Sequence, residues 1–543
     1  MRLADQVDSV NSLAGGVDSP AGGVGQLAGG VGILVSGGDS LAGGVDPLAG
    51  GVTPLVGDVS QTAGDAGQTL SRSVGRLMIA GTNSGSGKTT VTTALLAALA
   101  SLGLNVVSFK CGPDYIDPMF HQKATGIESR NLDIFLMGQS GVQFAVQHHS
   151  AGHDIAVLEG VMGFYDGLGN TSEASSHQVS QITHTPVILV VNAKGTALSV
   201  CATIQGFLDF EENNIRAVLL NGISSASYAF YRSLIEERLG IQVIGYLPNI
   251  PGAYLESRHL GLVTADEISD IQTKIALLRE QALQSLDIPA LLSIAAEADD
   301  YVYDEDFLTA AVEVDASKRL GVQRAVAELV AASKPLRIGI SQDKAFCFYY
   351  QDNHDLFKAL GAELVYFSPL TDQQLPEDIC GLILWGGYPE LYAEQLAQNH
   401  SLQQSLRAAI AGGLPVYAEC GGFMYLQQSL VDMSGQAHQM LGVLPGCTRM
   451  TDRLQDFGYY TIQAKRDNLL CAAGDSINAH FFHHSVSDAQ GDCFIARKHN
   501  GQSFDCIVAE GNIFAGYQHL HFWGNRRFAV SFLQACLEYR VQH

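Results

Sequence analysis

The sequence is poor in charge, and the charge it carries is mostly negative. Only 16% of its 543 residues are Asp, Glu, Lys or Arg, and 55 acidic against 31 basic residues give a formal net charge of −24. No Lys/Arg-rich run occurs in the chain. Because nucleic acids and anionic membrane surfaces attract positive patches, this balance disfavours both as partners and favours small-molecule ligands.

Paired cysteines and long apolar stretches are also missing. The ten cysteines are scattered without a CxxC pair or a Cys/His spacing suited to zinc, which argues against a disulfide framework or a structural metal. No stretch reaches the roughly 18 uninterrupted apolar residues of a membrane span, and the N-terminus lacks the basic-then-apolar order of a signal peptide. We therefore expect a reducing, cytoplasmic location.

What is present is enough apolar sequence for a large core. Hydrophobic residues make up 47% of the chain, and a length of 543 residues indicates roughly three domains. Residues 1–73 differ from the rest, because LAGGV recurs there with a seven-residue phase. Two glycines per repeat, at about 1 kcal/mol each in a helix interior, argue against a coiled coil. We expect a low-complexity, disordered tail.

Apolar strands alternate with helical segments from Leu77 onward, which is typical of doubly wound α/β sheets. The pattern predicts one such domain over 74–265, opened by the strand RLMIAG. Residues 266–333 lack clear strands and are rich in helix formers, so we interpret them as a helical connection. A second series begins at Lys334 and fills 334–543. The predicted fold class is therefore α/β, with two doubly wound domains.

A glycine-rich turn, GTNSGSGKTT, lies between the first predicted strand and a predicted helix. In a phosphate-binding loop at this place, backbone N–H groups bind phosphate oxygens, Lys88 reaches the terminal phosphates, and the Thr89 hydroxyl can hold Mg2+. The leading glycine, Gly81, stands one residue earlier than in the common pattern, and a chance Gly/Ser turn is the alternative. The predicted nucleotide-binding residues are Gly81, Thr82, Asn83, Ser84, Gly85, Ser86, Gly87, Lys88, Thr89 and Thr90.

Two acidic segments follow predicted strands in the same domain. KCGPDYIDP places Lys110, Asp114 and Asp117 after the second strand, and Glu159 ends the apolar strand DIAVLEG. Ligands of open α/β sheets bind at the carboxyl ends of strands, where carboxylate oxygens suit Mg2+ beside substrate phosphates. A solvated acidic loop is the alternative for the aspartates, and it is a weaker one for Glu159 at the end of a buried strand.

The segment YAECGGFMYL places Cys420 between a short apolar strand and two glycines. A lone cysteine is more often a buried small hydrophobe. A nucleophile at a strand-to-helix elbow needs such glycines for the sharp turn, and it needs a partner base. His519 in AGYQHLHF is the candidate base, with His521 as an orienting group. Gly386 and Gly387 in GGYPE offer N–H groups for an oxyanion hole. The combination favours catalysis.

Taken in order, seven motifs resemble the cobyrinic acid a,c-diamide synthase family, glutamine-dependent amidoligases of cobalamin biosynthesis. They are GTNSGSGKTT, FKCGPDYIDP, LEGVMGFYDG, ESRHLGL, LWGGYPELY, YAECGGFMYL and GYQHLHF. Several of them match over six or more consecutive positions. The resemblance covers roughly residues 76 to 530 and leaves the Gly-rich tail outside.

The resemblance implies two reaction centres. The first domain, similar to dethiobiotin synthetase, would use ATP and Mg2+ to phosphorylate the a and c acetate carboxylates of a cobyrinic-type tetrapyrrole. The second, similar to class I glutamine amidotransferases, would release ammonia from L-glutamine at Cys420 with His519 as base. Thr89 and Glu159 would bind the metal, and Asn221 would contact the adenine. The residues predicted to face the substrates are Lys110, Asp114, Tyr115, Asp117, Gly386 and Gly387.

Three positions depart from the family pattern. His521 stands where class I enzymes usually carry the glutamate of the triad, so the centre would be a Cys-His dyad or would use His521. Phe481 in AHFFHHS replaces a glutamate, and Tyr460 in FGYY replaces an arginine. The family pattern has an acid and a base at the positions of Phe481 and Tyr460, and this chain has neither. We therefore hypothesise that one ion pair of the family has been lost here.

Three alternatives stay open. A nickel-sirohydrochlorin a,c-diamide synthase shares these motifs, and cobyric acid synthase shares the domain order but should have a different run after the second strand. A partition-type P-loop ATPase, from a different class, would explain residues 77 to 265. It gives no role to Cys420 and His519, and it usually has a lysine in place of Asn83. A homodimer is left open as the assembly.

Overall fold

The computed structural model describes most of the chain after the Gly-rich repeats. The described residues are 74–255, 257–258, 261–262, 264–265, 267–308 and 335–543. The predicted tail over 1–73 and part of the predicted connection therefore lie outside the described residues. The described residues belong to one compact unit. Among them, no helix combines the length and the apolar character that crossing a bilayer requires.

The first half of the chain is built on a parallel sheet. Its strands are β1 (Gly75–Gly81), β2 (Val106–Cys111), β3 (Arg130–Leu132), β4 (Ile155–Glu159), β5 (Val187–Asn192), β6 (Ile215–Asn221) and β7 (Gln242–Leu247). The strand order is β3-β2-β4-β1-β5-β6-β7, so the chain continues to opposite sides of β1. A ligand crevice forms at the carboxyl end of such a switch strand, and the glycine-rich loop begins there.

Helices cover both faces of this sheet. They are α1 (Lys88–Ser101), α2 (Ile116–Thr125), α3 (Ile134–Ser150), α4 (Ser176–Ile182), α5 (Ser199–Asp209) and α6 (Ser225–Leu239). Two short strands, β8 (Ser257–Arg258) and β9 (Gly261–Leu262), pair before α7 (Ile271–Ser285) and α8 (Ile288–Ala295). Leu278 and Ala282 of α7 share a buried cluster with Leu95 and Leu99 of α1. The described part of the predicted connection thus completes the core of the first half.

The second half contains two further sheets. Its strands are β10 (Leu336–Ser341), β11 (Ala362–Phe367), β12 (Gly381–Leu384), β13 (Val416–Glu419), β14 (Ser429–Val431), β15 (Ala437–Gln439), β16 (Cys447–Ala464), β17 (Ser476–Ser487), β18 (Phe494–Arg497), β19 (Ser503–Cys506), β20 (Val508–Glu510), β21 (Ile513–Gly516) and β22 (Gln518–Leu520). One sheet has the order β11-β10-β12-β13-β21-β20 and is parallel except at β20. The other has the order β15-β14-β16-β17-β22, with β18 and β19 attached to β16.

The helices of the second half lie between these strands. They are α9 (Gln351–Ala359), α10 (Ala393–Gln398), α11 (His400–Ala411), α12 (Gly421–Leu426) and α13 (Arg527–Gln542). The nucleophile candidate Cys420 lies between β13 and α12, and the base candidate His519 lies on β22. The predicted α/β fold class is confirmed in both halves of the described chain.

The two halves contact each other through the β3 edge of the first sheet. The hydroxyl of Tyr459 on β16 donates to Asp133 Oδ2 at 2.6 Å, and Asn478 Nδ2 on β17 donates to the carbonyl of Phe135 at 2.7 Å. One hydrophobic cluster continues from the first half into the second. The start of α3, directly after β3, is therefore held against β16 and β17.

The two aromatic departures from the family pattern touch each other. The rings of Tyr460 on β16 and Phe481 on β17 lie 5.2 Å apart in an edge-to-face arrangement, and Phe504 packs against both. Each of the pair is 1% exposed. An aromatic contact thus joins the two positions at which the loss of an ion pair was hypothesised, and the coupling of the two substitutions stays a hypothesis.

Candidate active sites

The glycine-rich loop connects the end of β1 to the first turn of α1. Gly85 and Gly87 have positive φ angles of 78° and 95°, a region that favours glycine. A Cβ at Gly87 would lie 1.9 Å from Nδ2 of Asn221, and this same amide donates to the carbonyl of Ser86 at 2.8 Å. Asn221, which ends β6, therefore stabilises the glycine-rich loop through this hydrogen bond. Its contact with an adenine stays a prediction.

The loop presents its tip to solvent and buries its second half. Asn83, Ser84 and Gly85 are exposed, whereas Ser86 is fully buried and Lys88 is 7% exposed. Thr82, Thr89 and Thr90 are half-buried, and Gly81 is buried. The hydroxyl of Ser86 has no hydrogen-bond partner among the described residues. The loop thus offers backbone N–H groups and an unused polar atom at the switch point of the sheet.

Lys88 folds back onto its own loop. Its Nζ donates to the carbonyl of Asn83 at 3.2 Å and to the carbonyl of Met162. Burial and the nearby Lys110 ammonium lower the pKa of Lys88 to about 8, although the carboxylates of Glu159 and Asp117 oppose the shift. Lys88 is therefore a cation poised to lose its proton slightly above neutral pH.

The predicted polar residues of β2, α2 and β4 meet beside Thr89. Lys110 lies within β2 and Asp117 in the first turn of α2, so the prediction that both follow the strand on a loop was wrong. The Thr89 hydroxyl donates to Glu159 Oε1 at 2.7 Å and to Asp117 Oδ2 at 3.1 Å. Lys110 Nζ lies 2.8 Å from Glu159 Oε1 and 2.5 Å from Asp117 Oδ2. Asp114 accepts instead from the backbone N–H groups of Ile116 and Asp117, so it holds the start of α2.

His121 belongs to this group although sequence reasoning missed it. Its Nε2 lies 2.6 Å from Glu159 Oε2, and both side chains are fully buried. Burial would raise the pKa of Glu159, but Lys110 and His121 outweigh it and hold that pKa well below its usual range. The available signal was helical spacing, because His121 stands four residues after Asp117 and so lies on the same face of α2.

This set of donors fits a divalent cation bound beside phosphates. The Thr89 hydroxyl and the carboxylates of Glu159 and Asp117 are hard oxygen ligands, which Mg2+ prefers. They converge next to the loop that would hold the phosphates. Thr89 and Glu159, the two predicted ligands, are thus in contact with each other.

The second site is built on the elbow between β13 and α12. Cys420 has φ 42° and ψ −101°, an uncommon conformation for a residue with a side chain, and it is 6% exposed. Its N–H donates to the carbonyl of Gly516 on β21 at 2.7 Å. A Cβ at Gly422 would lie 2.2 Å from the carbonyl oxygen of Leu384, so glycine is required there for the sharp turn.

The glycines after β12 lie against the same elbow. A Cβ at Gly386 would lie 2.7 Å from Cε1 of His519, and one at Gly387 would lie 2.1 Å from the carbonyl oxygen of Ala345. A Cβ at Gly421 would lie 3.0 Å from the Gly387 nitrogen. Gly386 and Gly387 are therefore beside Cys420 and His519, where their role in an oxyanion hole stays a prediction.

His519 lies on β22 with its side chain 1% exposed. Burial would lower its pKa, but the Cys420 sulfur and the Glu419 carboxylate outweigh it and raise the pKa of His519 to about 10. Nδ1 of His519 lies 3.4 Å from Glu419 Oε2. The structure thus brings the predicted nucleophile and the predicted base together.

Glu419 is the carboxylate of this centre that sequence reasoning missed. Its Oε1 accepts from the Leu520 N–H at 2.9 Å and from the hydroxyl of Tyr417. The remaining oxygen, Oε2, faces His519. The signal was in YAEC, because Glu419 is an acid at the end of a buried strand, the same feature that singled out Glu159.

His521 points to a different partner. Its Nε2 lies 3.5 Å from Asp352 Oδ2, and its ring packs 5.0 Å from that of Tyr350. The carboxylate that faces Nδ1 of His519 is that of Glu419. Glu419 is accordingly the carboxylate that lies beside the imidazole, at a distance without a hydrogen bond to Nδ1, while a third-member role for His521 stays a prediction that these contacts do not favour.

Tyr115 joins the two sites. It lies on the loop after β2, directly after Asp114, and its ring packs 5.3 Å from the imidazole of His519 and 4.8 Å from Tyr350. Phe348 stacks on its other side at 5.3 Å. A predicted substrate residue of the first half therefore contacts the predicted base of the second.

Such a molecule, with a phosphate-binding loop in one half and a Cys-His-Glu elbow in the other, is a glutamine amidotransferase joined to a nucleotide-binding domain. Family models agree with this class. Residues 77–260 match the CobQ/CobB/MinD/ParA nucleotide binding domain, and residues 337–527 match the CobB/CobQ-like glutamine amidotransferase domain.

Relatives identify the family within that class. Cobyrinate a,c-diamide synthases of Clostridium tetani, Listeria innocua and Clostridium acetobutylicum are 37%, 39% and 38% identical. These matches cover 85%, 83% and 83% of this chain and 99%, 97% and 98% of the relatives. A solved glutamine amidotransferase covers 37% of this chain and 98% of its own length at 18% identity and a TM-score of 0.27. The chain belongs to the cobyrinate a,c-diamide synthase family, and it is a glutamine-dependent amidoligase.

Proposed function

We propose that this enzyme amidates the a and c acetate carboxylates of cobyrinic acid, or of its metal-free form, in cobalamin biosynthesis. The nitrogen comes from L-glutamine and the driving force from ATP with Mg2+. The relatives named for this reaction match over nearly their whole length, which supports the transfer of substrate from them. A cytoplasmic location and an assembly of more than one copy remain predictions.

The first centre activates the carboxylate. The loop N–H groups and Lys88 bind the phosphates, and Thr89 with Glu159 would hold Mg2+, which when bound neutralises phosphate charge. Burial of Lys110 and Glu159 keeps this charged group away from bulk water. One carboxylate oxygen takes the γ-phosphoryl group to give an acyl phosphate and ADP.

The second centre releases ammonia. The Cys420 sulfur attacks the side-chain amide carbon of glutamine, and His519 delivers a proton to the leaving nitrogen. Glu419 holds the imidazole at its Nδ1 side, 3.4 Å away. Water then cleaves the glutamyl thioester to give glutamate and the free thiol. Ammonia attacks the acyl phosphate carbon, which forms the amide and releases phosphate.

The contact between Tyr115 and His519 is the observation on which the proposal depends most. It joins a loop of the activating centre to the base of the ammonia-releasing centre within one compact unit. A partition-type ATPase needs no such contact and gives no role to the Cys420 elbow. The arrangement suits an enzyme that makes nitrogen at one centre and consumes it at the other.

The test compares four tetrapyrroles as acceptors of the amide nitrogen. Purified protein receives glutamine, ATP and Mg2+ with cobyrinic acid, its metal-free form, nickel-sirohydrochlorin or cobyrinic acid a,c-diamide, and products are followed by mass spectrometry. We expect diamide from one of the first two. Amidation of nickel-sirohydrochlorin alone, or of the diamide alone, would instead assign one of the two related synthase activities. Glutamine hydrolysis without amidation of any acceptor would contradict the proposal.

A further inference from the structure

Tyr115 is held in place by the charged loop that carries it. Asp114 Oδ1 accepts from the N–H groups of Ile116 and Asp117 at 2.8 and 3.2 Å, and Asn131 Nδ2 donates to the Asp114 carbonyl at 2.7 Å. Asp117 is in turn bonded to Thr89. The ring of Tyr115 is therefore fixed relative to the predicted metal ligand.

The other end of Tyr115 is fixed by aromatic packing. Its ring is stacked at 10° on Phe348, tilted at 33° to Tyr350, and tilted at 52° to the imidazole of His519. The hydroxyl is buried and interacts with that of Tyr350. The position of the ring consequently depends on its packing against Phe348, Tyr350 and His519.

The segments that pack on the ring belong to the second half, whereas Tyr115 itself belongs to the first. Phe348 and Tyr350 precede α9, and the Phe348 N–H donates to the carbonyl of Gly386 at 3.0 Å. Gly386 itself approaches the imidazole of His519 closely. The ring thus lies at the boundary where the elbow of Cys420 meets the loop of Asp114 and Asp117.

We propose that Tyr115 is a positioning residue that couples the two centres. Its ring supports the imidazole of His519 and closes the boundary around the ammonia formed at Cys420, so that this ammonia reaches the activated carboxylate before it escapes to solvent. No bond to Tyr115 forms or breaks; ammonia leaves the amidotransferase centre as a free molecule. The inference rests on the proposed function, and it assigns to Tyr115 a role other than acceptor binding.

The experiment compares Tyr115→Leu and Tyr115→Phe with the wild type. Glutamate and amide are counted in the same reaction, and amidation is driven either by glutamine or by added ammonium. In Tyr115→Leu we expect the glutamate formed per amide to rise about fivefold, because a site that no longer excludes water loses its reactive product. Glutamine-driven amidation should fall more than ammonium-driven amidation. Tyr115→Phe keeps the ring and should keep the wild-type ratio.

Phe135→Ala is the matched control. It removes another aromatic contact between the halves, the tilted packing of Phe135 on Tyr459 at 4.8 Å, and Phe135 has no ring contact with His519. If the glutamate formed per amide rises equally in Phe135→Ala, the effect follows from weakening any contact between the halves. That result would overturn the proposal. An equal fall of glutamine-driven and ammonium-driven amidation in Tyr115→Leu, with an unchanged ratio, would also overturn it by showing acceptor binding.

A readout without acceptor separates this inference from the proposed function. Basal glutamine hydrolysis should show a lower kcat in Tyr115→Leu, with KM little changed, and normal values in Tyr115→Phe and Phe135→Ala. If the wild type amidates no acceptor, the proposed function fails, while this comparison still tests the contact with His519. Identical basal kcat in all four proteins would contradict the positioning role.

Discussion

At the scale of single residues, both centres depend on a glutamate that ends a buried parallel strand. Glu159 ends β4 and faces Thr89, whereas Glu419 ends β13 and faces His519. Each is 1% exposed or less. A carboxylate in such a place is costly unless it has polar partners, and each of the two has at least two. Each glutamate therefore lies beside a residue to which a role in its centre is predicted, Thr89 in one and His519 in the other.

Glu419→Gln should impair the amidotransferase centre selectively. Gln keeps an oxygen for the Leu520 N–H but loses the negative charge that helps to raise the pKa of His519 to about 10. The pKa of His519 then falls, so the alkaline limb of glutamine-driven activity moves to lower pH. We expect kcat/KM for glutamine to drop about a hundredfold. An unshifted limb in pH-rate profiles would contradict the assignment of Glu419.

Lys88 should give the nucleotide centre its own pH dependence. Because its pKa is lowered to about 8, the ammonium loses its proton and its charge above that pH, and kcat/KM for ATP should fall there. Glutamine hydrolysis should not fall over the same interval, since the pKa of His519 is about 10. In Lys88→Arg the guanidinium does not titrate, so the alkaline limb for ATP should disappear. If kcat/KM for ATP still falls at alkaline pH in Lys88→Arg, the group that titrates is not Lys88.

At the scale of elements, the buried carboxylate of Asp352 on α9 joins the halves. Arg130 Nη1 of β3 lies 3.0 Å from its Oδ1 and also bonds to Asp355. His149 of α3 and His521, after β22, contact the same carboxylate at 3.2 and 3.5 Å. His149, Asp352 and Asp355 could by distance hold a metal ion, but the guanidinium already supplies the cation. This cluster fixes the strand that carries His519 against the first sheet.

Asp352→Asn should destabilise the protein by about 3 kcal/mol, because it removes the buried carboxylate that pairs with the Arg130 guanidinium and leaves that cation with Asp355 alone. Burial would raise the pKa of Asp352, but His149, His521 and Arg130 outweigh it and hold that pKa well below its usual range. The contribution is therefore fully present above the unfolded value of about 4 and is lost as the pH falls further. Urea unfolding at neutral pH and at about pH 3 measures both effects.

The control for this prediction is Asp505→Asn. Asp505 pairs with Lys465 at 3.0 Å, but the two side chains are 53% and 40% exposed. Such a surface pair contributes at most about 1 kcal/mol. Equal losses in the two variants would show that the Asp352 cluster has no special role in holding the halves together.

At the scale of the whole molecule, most of the fold could be predicted from the periodic features of the sequence. Alternating apolar strands and helices predicted the α/β class, and GTNSGSGKTT and YAECGG marked the two turns that carry Lys88 and Cys420. The missed groups, His121, Glu419 and Asp352, were harder to find because their partners lie 38, 100 and 222 residues away in the chain. The pairing of distant strands, together with the packing of α2 and α9 against them, brings these side chains together.

Cys420→Ala tests whether the two centres work separately. The elbow keeps its backbone and Lys88, Thr89 and Glu159 are untouched, so ammonium-driven amidation should continue. Glutamine hydrolysis and glutamine-driven amidation should both be lost, because no other described side chain stands in for the nucleophile beside His519. Loss of ammonium-driven amidation in a folded variant would contradict the model of two centres.

The transfer of nitrogen is the central claim, and an isotope measures it directly. Wild-type protein is given glutamine labelled with nitrogen-15 in the side-chain amide, together with ATP, Mg2+ and the best acceptor, and the tetrapyrrole is analysed by mass spectrometry. We predict a diamide with heavy nitrogen in both new amides, formed only when ATP is present. Labelled ammonia in solution with an unlabelled or unamidated tetrapyrrole would contradict the account.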